Sequence, residues 1–461
     1  MAATLRPALG DGTCGVIFPG GSYPTIRDVT ASETPDNSQP QLAAEASETP
    51  QAQVPVHPAH AGGAPIITVI GDGQLARMMH TEAIELGQSI RLLAGSRDSS
   101  AAQVCADVAI GDYRNWEDVL SAVRGADAVT FDHEHVPTEF LQRLTEMGYS
   151  VQPQPAALLY AQDKLLMRQR LEEMGAPVPE YTAIESVADA QEFFDQVGGQ
   201  VCLKARRGGY DGNGVWFPAD AAELAEQVTT LLEREVPLMA ERKVNLVREL
   251  SAMCARTPSG QVAAWPVLES VQANGICVEA ICPAPGISAE LAAQAEELSI
   301  SIAEGLGVTG ALAVELFETT DAAGRPQIFV NELAMRPHNT GHWSQDGCDT
   351  SQFEQHLRAV ADLPLGSTRP SAPVTVMVNT LGGATDPQLP LAQRFAEVWR
   401  RFPAAKIHWY GKQWRPGRKL GHVNLCGTDA SVEGIARTRR DANLAAEFIV
   451  NAVWSDGYTH N

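Results

Sequence analysis

Two short apolar segments, each ending beside a carboxylate, constrain the fold of this chain more than any other feature of its sequence. Residues 311–316 carry Glu315, and residues 328–330 lead directly into Asn331 and Glu332. Apolar runs of this length are typical of buried strands. Proteins usually hold Mg²⁺ with a few carboxylate oxygens that act together with substrate phosphates. The pair therefore predicts a magnesium–nucleotide site on two adjacent strands, and a strand pair with polar edge residues is the plain alternative.

A glycine-rich loop follows a buried segment farther upstream. Residues 201–204 end in Lys204, and four of the residues 208–214 are glycines. Backbone that carries no side chains can close over phosphates, with Lys204 beneath it as a fixed positive charge. The loop lacks the G-K-[ST] ending of a Walker A motif. It predicts a phosphate-covering hairpin, and an ordinary glycine-rich turn is the alternative.

The segment between these two features carries two more acids. Glu241 ends a predicted strand, Val244 follows it, and Glu249 lies near the start of the next strand. A strand, an acid, a short linker and an acid-led strand fit a hinge between two lobes that contacts the adenine and ribose of a nucleotide. A hairpin with surface acids is the simpler interpretation of this segment alone.

The first predicted strand, residues 65–70, runs into a Gly71-Asp72-Gly73 turn and a helix. The G-x-G-x-x-A pattern allows a dinucleotide-binding interpretation, but no clear ribose-binding acid closes the next strand, residues 90–94. We therefore expect a fold that only shares this strand–turn–helix, with a helix start that attracts an anion. His133 and His135 follow a later strand, and we interpret them as loop residues at its end rather than as a metal pair.

Charge and composition exclude several classes of protein. The chain has 461 residues and a net charge of −22, which argues against general binding to nucleic acid or a membrane surface. No apolar run approaches the roughly 18–20 residues of a membrane span. Eight scattered cysteines without a C-x-x-C pair predict reduced thiols and a cytoplasmic protein.

Residues 30–65 have few large apolar side chains, so residues 1–63 are predicted to be a disordered extension.

Residues 406–423 form a basic segment near the C-terminus. It contains five Lys or Arg and no acid, with three aromatic residues among them. Nucleic-acid binding is one interpretation of such a pattern. A short basic hairpin that grips a single phosphomonoester needs less surface and agrees better with a nearby nucleotide site.

Alternating strand and helix patterns predict an α/β protein with several domains. After the extension we expect an N-terminal Rossmann-like parallel-sheet domain, a two-lobed central domain and a small C-terminal β-rich domain. Their predicted limits are residues 64–160, 161–368 and 369–461.

The glycine loop, the glutamate pair and residues 336–343 together resemble the ATP-grasp ligases. With residues 71–78 and 409–422 added, residues 65–461 resemble more narrowly the 5-(carboxyamino)imidazole ribonucleotide synthetase family of purine biosynthesis. The resemblance implies an α+β ATP-grasp centre. It also implies ATP-dependent carboxylation of 5-aminoimidazole ribonucleotide (AIR) by bicarbonate through carboxyphosphate, with Mg²⁺ or alternatively Mn²⁺. The partners implied are these small molecules and a second copy of the chain in a homodimer, with neither nucleic acid nor membrane.

The same resemblance assigns roles to individual residues. ATP-contacting positions are Lys164, Lys204, Gly209, Gly212, Gly214, Glu241, Val244, Glu249, Asn331 and Glu332. The metal ligands are Glu315 and Glu332. The positions that bind AIR or bicarbonate are Tyr210, Asp211, Arg336, His338, Lys412 and Arg418. Among all of these, the resemblance implies direct catalytic roles for Lys204, Asp211, Arg336 and His338.

Four positions depart from the family pattern: Asp72, Tyr160, Asn213 and Gln272. None of them removes the glutamate pair or Lys204, so we expect an active enzyme. Two other functions agree with the same motifs. One is another ATP-grasp carboxylase or formate ligase of nucleotide metabolism, and the other is a catalytically silent nucleotide-binding subunit. A silent subunit has no need of two carboxylates beside a phosphate loop.

Overall fold

The computed structural model describes residues 57–60, 62–208 and 213–459. Four predicted site residues of the glycine-rich loop lie outside the described residues: Gly209, Tyr210, Asp211 and Gly212. Residues 1–56 of the predicted extension also lie outside them. In the described part of the chain, no helix combines the length and apolar character needed to cross a bilayer.

Residues 57–60 and 62–63, which the sequence analysis assigned to the disordered extension, belong to the described structure. Pro58–His60 form a 3-10 turn, and the buried His60 ring nitrogen Nε2 lies 2.9 Å from the Asp107 carboxylate. Composition did not reveal this contact because a single histidine makes it with a partner 47 positions away. The predicted extension is corrected accordingly for these residues.

The first sheet has four parallel strands in the order β3-β2-β1-β4. This confirms the predicted Rossmann-like parallel sheet. β1 is β-branched and buried at every position, as expected for a strand covered on both faces. The strands are β1 Ile67–Ile70, β2 Ile90–Ala94, β3 Asp107–Ile110 and β4 Ala128–Phe131, and the helices that accompany them are α1 Gln74–Glu85, α2 Trp116–Val123 and α3 Thr138–Glu146.

Two helices connect this sheet to the rest of the chain, α4 Pro155–Gln162 and α5 Lys164–Glu173. Asp163 is the N-cap of α5, since its carboxylate accepts hydrogen bonds from the backbone N–H groups of the first turn. The same carboxylate pairs with Arg206 at 2.9 Å and with Arg207 at 3.0 Å. The start of α5 is thereby fixed to the base of the glycine-rich loop.

A small antiparallel sheet with the order β5-β8-β6-β7 forms one lobe. β6 and β7 pair with Lys204 opposite Val215, so the glycine-rich loop connects two antiparallel strands, as the sequence predicted. The strands are β5 Tyr181–Ile184, β6 Val201–Ala205, β7 Val215–Trp216 and β8 Leu238–Arg242, and the helices are α6 Val187–Gln196 and α7 Ala221–Glu233.

The remaining strands form one nine-stranded sheet with the order β14-β13-β9-β11-β12-β15-β17-β16, with β10 paired to β9. The strands are β9 Arg248–Arg256, β10 Val262–Ala264, β11 Leu268–Ala273, β12 Ile276–Cys282, β13 Gly310–Thr320, β14 Pro326–Ala334, β15 Val374–Leu381, β16 Lys406–Trp409 and β17 Lys419–Gly427. The helices are α8 Ala289–Leu306, α9 Ser344–Gly347, α10 Gln352–Val360, α11 Leu391–Arg401 and α12 Val432–Asn451. Every strand pair in this sheet is antiparallel.

The C-terminal strands join this sheet through one junction. β12 and β15 pair over four positions, from Glu279 opposite Val378 to Cys282 opposite Thr375. Helix α12 packs on β15 and β17 and covers the C-terminal part of the sheet. The residues after 369 therefore continue the central sheet and do not build a separate one.

Candidate active site

A cleft of about 1260 Å³ lies where the three sheets meet. Its wall includes the turn after β1, the loop after β4, and residues of β6, β8, β13, β14 and β17. A concave site of this size, formed where separate structural units meet, is the usual place for a small-molecule site. Most of the predicted site residues that the structure describes line this one cleft.

Glu315 and Glu332 lie on the adjacent strands β13 and β14, as the sequence predicted, and they are directly opposite each other. Their side chains are 22% and 37% exposed, so both carboxylates reach the cleft. Glu315 accepts a hydrogen bond from the Asn331 amide at 3.4 Å, and Glu332 pairs with the ammonium of Lys164. Burial raises the pKa of Glu315, so a bound cation would favour its ionised form.

A β-bulge explains how two consecutive residues both face the cleft. The register passes from Glu315 opposite Glu332 to Leu316 opposite Val330, which leaves Asn331 as the extra residue. Neighbouring residues of a regular strand point to opposite faces, and a bulge re-aims a side chain. Asn331 and Glu332 therefore both line the cleft. No pattern in the sequence indicated this bulge.

Lys204 occupies a fixed position in the cleft wall. Its ammonium lies 2.8 Å from the Glu241 carboxylate and 3.2 Å from the Asn331 side-chain oxygen. Arg168 donates to Glu241 at 2.8 Å and to the Asn331 backbone carbonyl at 2.7 Å. Although burial would raise it, Arg168 and Lys204 hold the pKa of Glu241 below its usual value. The buried Glu241 carboxylate thus orients two cations.

Arg168 is a site residue that was not predicted from the sequence. Lys164 and Arg168 are four residues apart on α5, which places both on the same helix face. Both side chains are buried, and buried cations at this spacing are unusual enough to have served as a signal. Burial, with Lys204 and Arg168 nearby, lowers the pKa of Lys164 to about 8.

Val244 and Glu249 line the same cleft between the small lobe and the large sheet. Glu249 lies on β9, next to β13, with its side chain near Glu315. Burial and the charge of Glu315 raise the pKa of Glu249 to about 7. In either protonation state this carboxyl group can accept hydrogen bonds from hydroxyl groups of a ligand.

Arg336 and His338 follow β14 and face the same glutamates. The His338 ring lies 3.3 Å from Glu315, and burial with Arg336 nearby lowers the pKa of His338 to about 3. Arg336 donates to Glu134 at 2.9 Å, and the Met335 N–H donates to the same carboxylate at 3.3 Å. The sequence analysis also missed Glu134, because its partner lies 202 positions away.

Gln352, the first residue of α10, holds the His338 backbone on both sides. Its side chain accepts from the His338 N–H at 2.8 Å and donates to the His338 carbonyl at 2.8 Å. The same amide nitrogen lies 2.9 Å from His342 Nδ1. Gln352 is completely buried and is not part of the cleft wall, so it acts on the site through the His338 loop.

We expect Gln352→Leu to destabilise the fold by about 2–4 kcal/mol, because it leaves two buried backbone groups without partners. Turnover, measured well below the melting temperature, should fall at least tenfold because His338 is no longer held. Gln355→Leu is the matched control, since Gln355 holds the Gly366 backbone in the same way at 2.7 and 3.0 Å. Equal turnover in the two variants would contradict a positioning role for Gln352.

The basic C-terminal segment packs against the first sheet at the start of α1. The Lys412 ammonium donates to the Gln74 side chain, and the Gln103 side chain donates to the Gly411 carbonyl at 2.9 Å. Arg418 donates to the Gln413 carbonyl at 3.2 Å and lowers the pKa of Lys412, with burial as the larger cause, to about 8. Two predicted phosphate-binding features, the helix start and the basic segment, therefore adjoin each other.

Asp132 lies under the first glycine turn. Its carboxylate accepts from the Gly73 N–H at 2.5 Å, and burial raises its pKa to about 6. A Cβ atom at Gly71, where φ is +119°, would lie 1.8 Å from the Asp132 oxygen. Only glycine fits at position 71.

His133 and His135 lie side by side in the loop after β4. The His133 and His135 rings stack at 5.4 Å, and His133 also packs on Tyr113. Among the described residues, no further His, Cys, Asp or Glu completes a group of three with them. Both line the cleft as loop residues after a strand, in agreement with the sequence interpretation.

Three family models match consecutive parts of the chain. The ribonucleotide synthetase preATP-grasp domain matches residues 65–162, and the ATP-grasp domain matches residues 169–353. The phosphoribosylaminoimidazole carboxylase C-terminal domain matches residues 375–433.

Known proteins match nearly the same region. N5-carboxyaminoimidazole ribonucleotide synthase of Corynebacterium ammoniagenes is 61% identical over 404 residues, which cover 87% of this chain and 96% of that protein. The crystal structure of N5-carboxyaminoimidazole ribonucleotide synthetase from Thermus thermophilus is 34% identical, with a TM-score of 0.73, and covers 84% of this chain and 99% of that one. The Aspergillus clavatus synthase, solved with ADP and 5-aminoimidazole ribonucleotide, is 27% identical, with a TM-score of 0.74 and coverage of 85% and 99%.

Proposed function

Because the chain belongs to the N5-carboxyaminoimidazole ribonucleotide synthase family, we propose that it carboxylates the amine of AIR with bicarbonate at the expense of ATP. One observation carries this proposal. A single cleft extends from a carboxylate pair flanked by lysines to Gln74 at the start of α1, and Lys412, which is not in the cleft wall itself, donates to the Gln74 side chain. The first end suits a metal-bound triphosphate, and the second suits a phosphomonoester.

The triphosphate end fits Mg²⁺ and ATP by its chemistry. Glu315 and Glu332 offer the hard oxygen ligands that Mg²⁺ prefers, and Asn331 adds an amide beside them. When bound, Mg²⁺ supplies charge neutralisation for the phosphates. Lys204 is already oriented by Glu241, so it needs no rearrangement to meet a phosphate oxygen. Lys164 pairs with Glu332 and can exchange that carboxylate for a phosphate.

The chemistry proposed here has two steps. A bicarbonate oxygen attacks the γ-phosphorus of ATP, the bond to ADP breaks, and carboxyphosphate forms. The AIR amine nitrogen then attacks the carboxyphosphate carbon, the bond to phosphate breaks, and the amine loses a proton. Positioning and charge neutralisation supply most of the catalysis in phosphoryl transfer.

We assign Arg336 and His338 to both steps, because they line the cleft and His338 lies 3.3 Å from Glu315. Arg336, held through its Nε by Glu134, provides a planar cation suited to a carboxylate-like oxyanion. His338 is neutral at physiological pH, since its pKa is lowered to about 3, and serves as a hydrogen-bonding group rather than a general acid. We assign Asp211 and Tyr210 to the AIR amine and its surroundings by the family resemblance alone.

ATP hydrolysis measured with AIR, with bicarbonate and with both tests this function. We expect full turnover only with both, together with the carboxylated nucleotide as product. A different nucleotide acceptor or formate requirement would favour another ATP-grasp ligase. Absence of hydrolysis under all conditions would favour a silent subunit.

We expect kcat/KM for AIR to fall as pH rises above about 8. Lys412 is cationic below its pKa of about 8 and loses its charge as pH passes that value, which weakens its bond to a phosphate. Rate measurements at saturating ATP between pH 6.5 and 9.5 check this. Lys412→Arg should move the decline to higher pH, and an unchanged profile in that variant would contradict the assignment.

We also propose a homodimer in the cytoplasm, which rests on the family resemblance and on the reduced cysteines expected from the sequence. The seven cysteines that the structure describes are unpaired. Light scattering coupled to size-exclusion chromatography would give twice the chain mass of 49.4 kDa for a dimer.

A further inference from the structure

A group of three potential metal ligands lies outside the cleft, beside the edge strand β3. His57 and His60 belong to the 3-10 turn region before β1, and Asp107 is the first residue of β3. One ligand atom from each of the three lies within 4.8 Å of the others. It is the one such group of His, Cys, Asp or Glu in residues 57–60, 62–208 and 213–459.

The local sequence explains why both imidazoles point to the same place. The His60 N–H donates to the His57 carbonyl at 2.9 Å, and this i to i+3 hydrogen bond keeps the two histidines of the H-x-x-H spacing close together. Pro58 between them restricts the backbone. The His60 side chain is 1% exposed and the Asp107 side chain 17%, so these two ligands are largely withdrawn from solvent, whereas His57 is half-buried.

The Asp107 carboxylate is oriented by a second residue. Arg91 on β2 donates to it at 2.8 Å and also donates to the Arg124 carbonyl at 2.6 Å. Carboxylates that bind metals are commonly held by such outer hydrogen bonds, which fix the ligand without occupying all of its lone pairs. The Arg91 contact is therefore compatible with a metal ligand.

We propose that His57, His60 and Asp107 bind one transition-metal ion of the Zn²⁺ type, with a water molecule as fourth ligand. Two imidazoles and one carboxylate are a known Zn²⁺ ligand set and are a poor set for Mg²⁺. Tetrahedral ligands about 2.0–2.2 Å from zinc lie roughly 3.4 Å apart. The His60 and Asp107 ligand atoms already lie 2.9 Å apart, so His57, within 4.8 Å of both, needs to approach by no more than roughly 1.4 Å.

Zinc binding to the full-length protein tests this proposal, with ZnCl₂ as the probe and saturating Mg²⁺ present to fill hard-oxygen sites. Calorimetry, or competition with a chromogenic chelator, should show one ion bound with Kd on the order of 10 µM or tighter. His57→Ala should weaken binding tenfold or more. This variant keeps the His60–Asp107 contact, so it should fold normally.

Two control variants exclude other sources of zinc affinity. Cys105→Ser and His135→Ala should both bind zinc as the wild type does. Zinc should raise the melting temperature of the wild type and of both controls, and it should not raise that of His57→Ala. Equal affinity in wild type and His57→Ala, or no binding below about 1 mM, would overturn the proposal and leave His60, Asp107 and Arg91 as an ion-paired anchor only.

Discussion

Glu315→Gln and Glu332→Gln are each expected to lower Mg²⁺-dependent turnover by roughly 10²–10³-fold, a loss typical when charge stabilisation of a transition state is removed. The two carboxylates lie opposite each other in the cleft that Lys164 and Lys204 also line. Glutamine keeps the shape of each side chain while removing its charge. Initial rates as a function of Mg²⁺ concentration, at saturating AIR and bicarbonate, check the prediction. Near-normal rates at limiting Mg²⁺ would contradict the metal assignment.

Glu318→Gln is the matched control for this pair. Glu318 lies on the same strand as Glu315, but its carboxylate pairs with Arg248 at 2.6 Å and is not part of the cleft wall. Its replacement should reduce stability slightly and leave the dependence on Mg²⁺ unchanged. The comparison separates a loss of metal binding from a general loss of negative charge on β13.

Lys412→Ala and Arg418→Ala are expected to raise KM for AIR by roughly 10–100-fold, with little change in KM for ATP. A phosphomonoester carries nearly two negative charges at neutral pH, and a hydrogen bond to a charged group contributes about 1.5–3 kcal/mol. Each 1.4 kcal/mol corresponds to a factor of ten. Lys412 adjoins the start of α1 through Gln74, which is where a phosphate would also meet backbone N–H groups.

Titrating each variant with AIR at saturating ATP, and then with ATP at saturating AIR, distinguishes the two ends of the cleft. Lys406→Ala is a suitable control, because Lys406 belongs to the same basic segment but is exposed at the start of β16. If KM for ATP rises while KM for AIR is constant, the basic segment belongs to the nucleotide end and the assignment is reversed.

The sequence predicted the features that depend on local pattern. The placement of Glu315 and Glu332 on adjacent strands and the hairpin that follows Lys204 both agree with the apolar runs and turn residues of the sequence. The parallel direction of the strands in the first sheet agrees with the alternation of strands and helices in the sequence.

The features that escaped prediction depend on contacts between distant parts of the chain. Arg168 meets Glu241 across 73 positions, and Glu134 meets Arg336 across 202. The bulge at Asn331 depends on pairing with β13, which no single segment encodes. Pairing of β12 with β15, which merges the C-terminal strands into the central sheet, is likewise a long-range choice.

The nine-stranded sheet, which includes the C-terminal strands, fixes the distance between Glu332 and the segment that carries Lys412. Strand pairing is uninterrupted from β14, which carries Glu332, to β16, which leads into the segment with Lys412. The distance from the proposed metal ligands to the proposed phosphate-binding segment is thus set by rows of backbone hydrogen bonds and not by a hinge. Under the proposed assignments the sheet selects substrates by length, because a nucleotide whose amine and phosphate are separated differently from those of AIR would not reach both ends at once. Discrimination between nucleotides by length in this way would need no side chain that contacts the imidazole base of AIR.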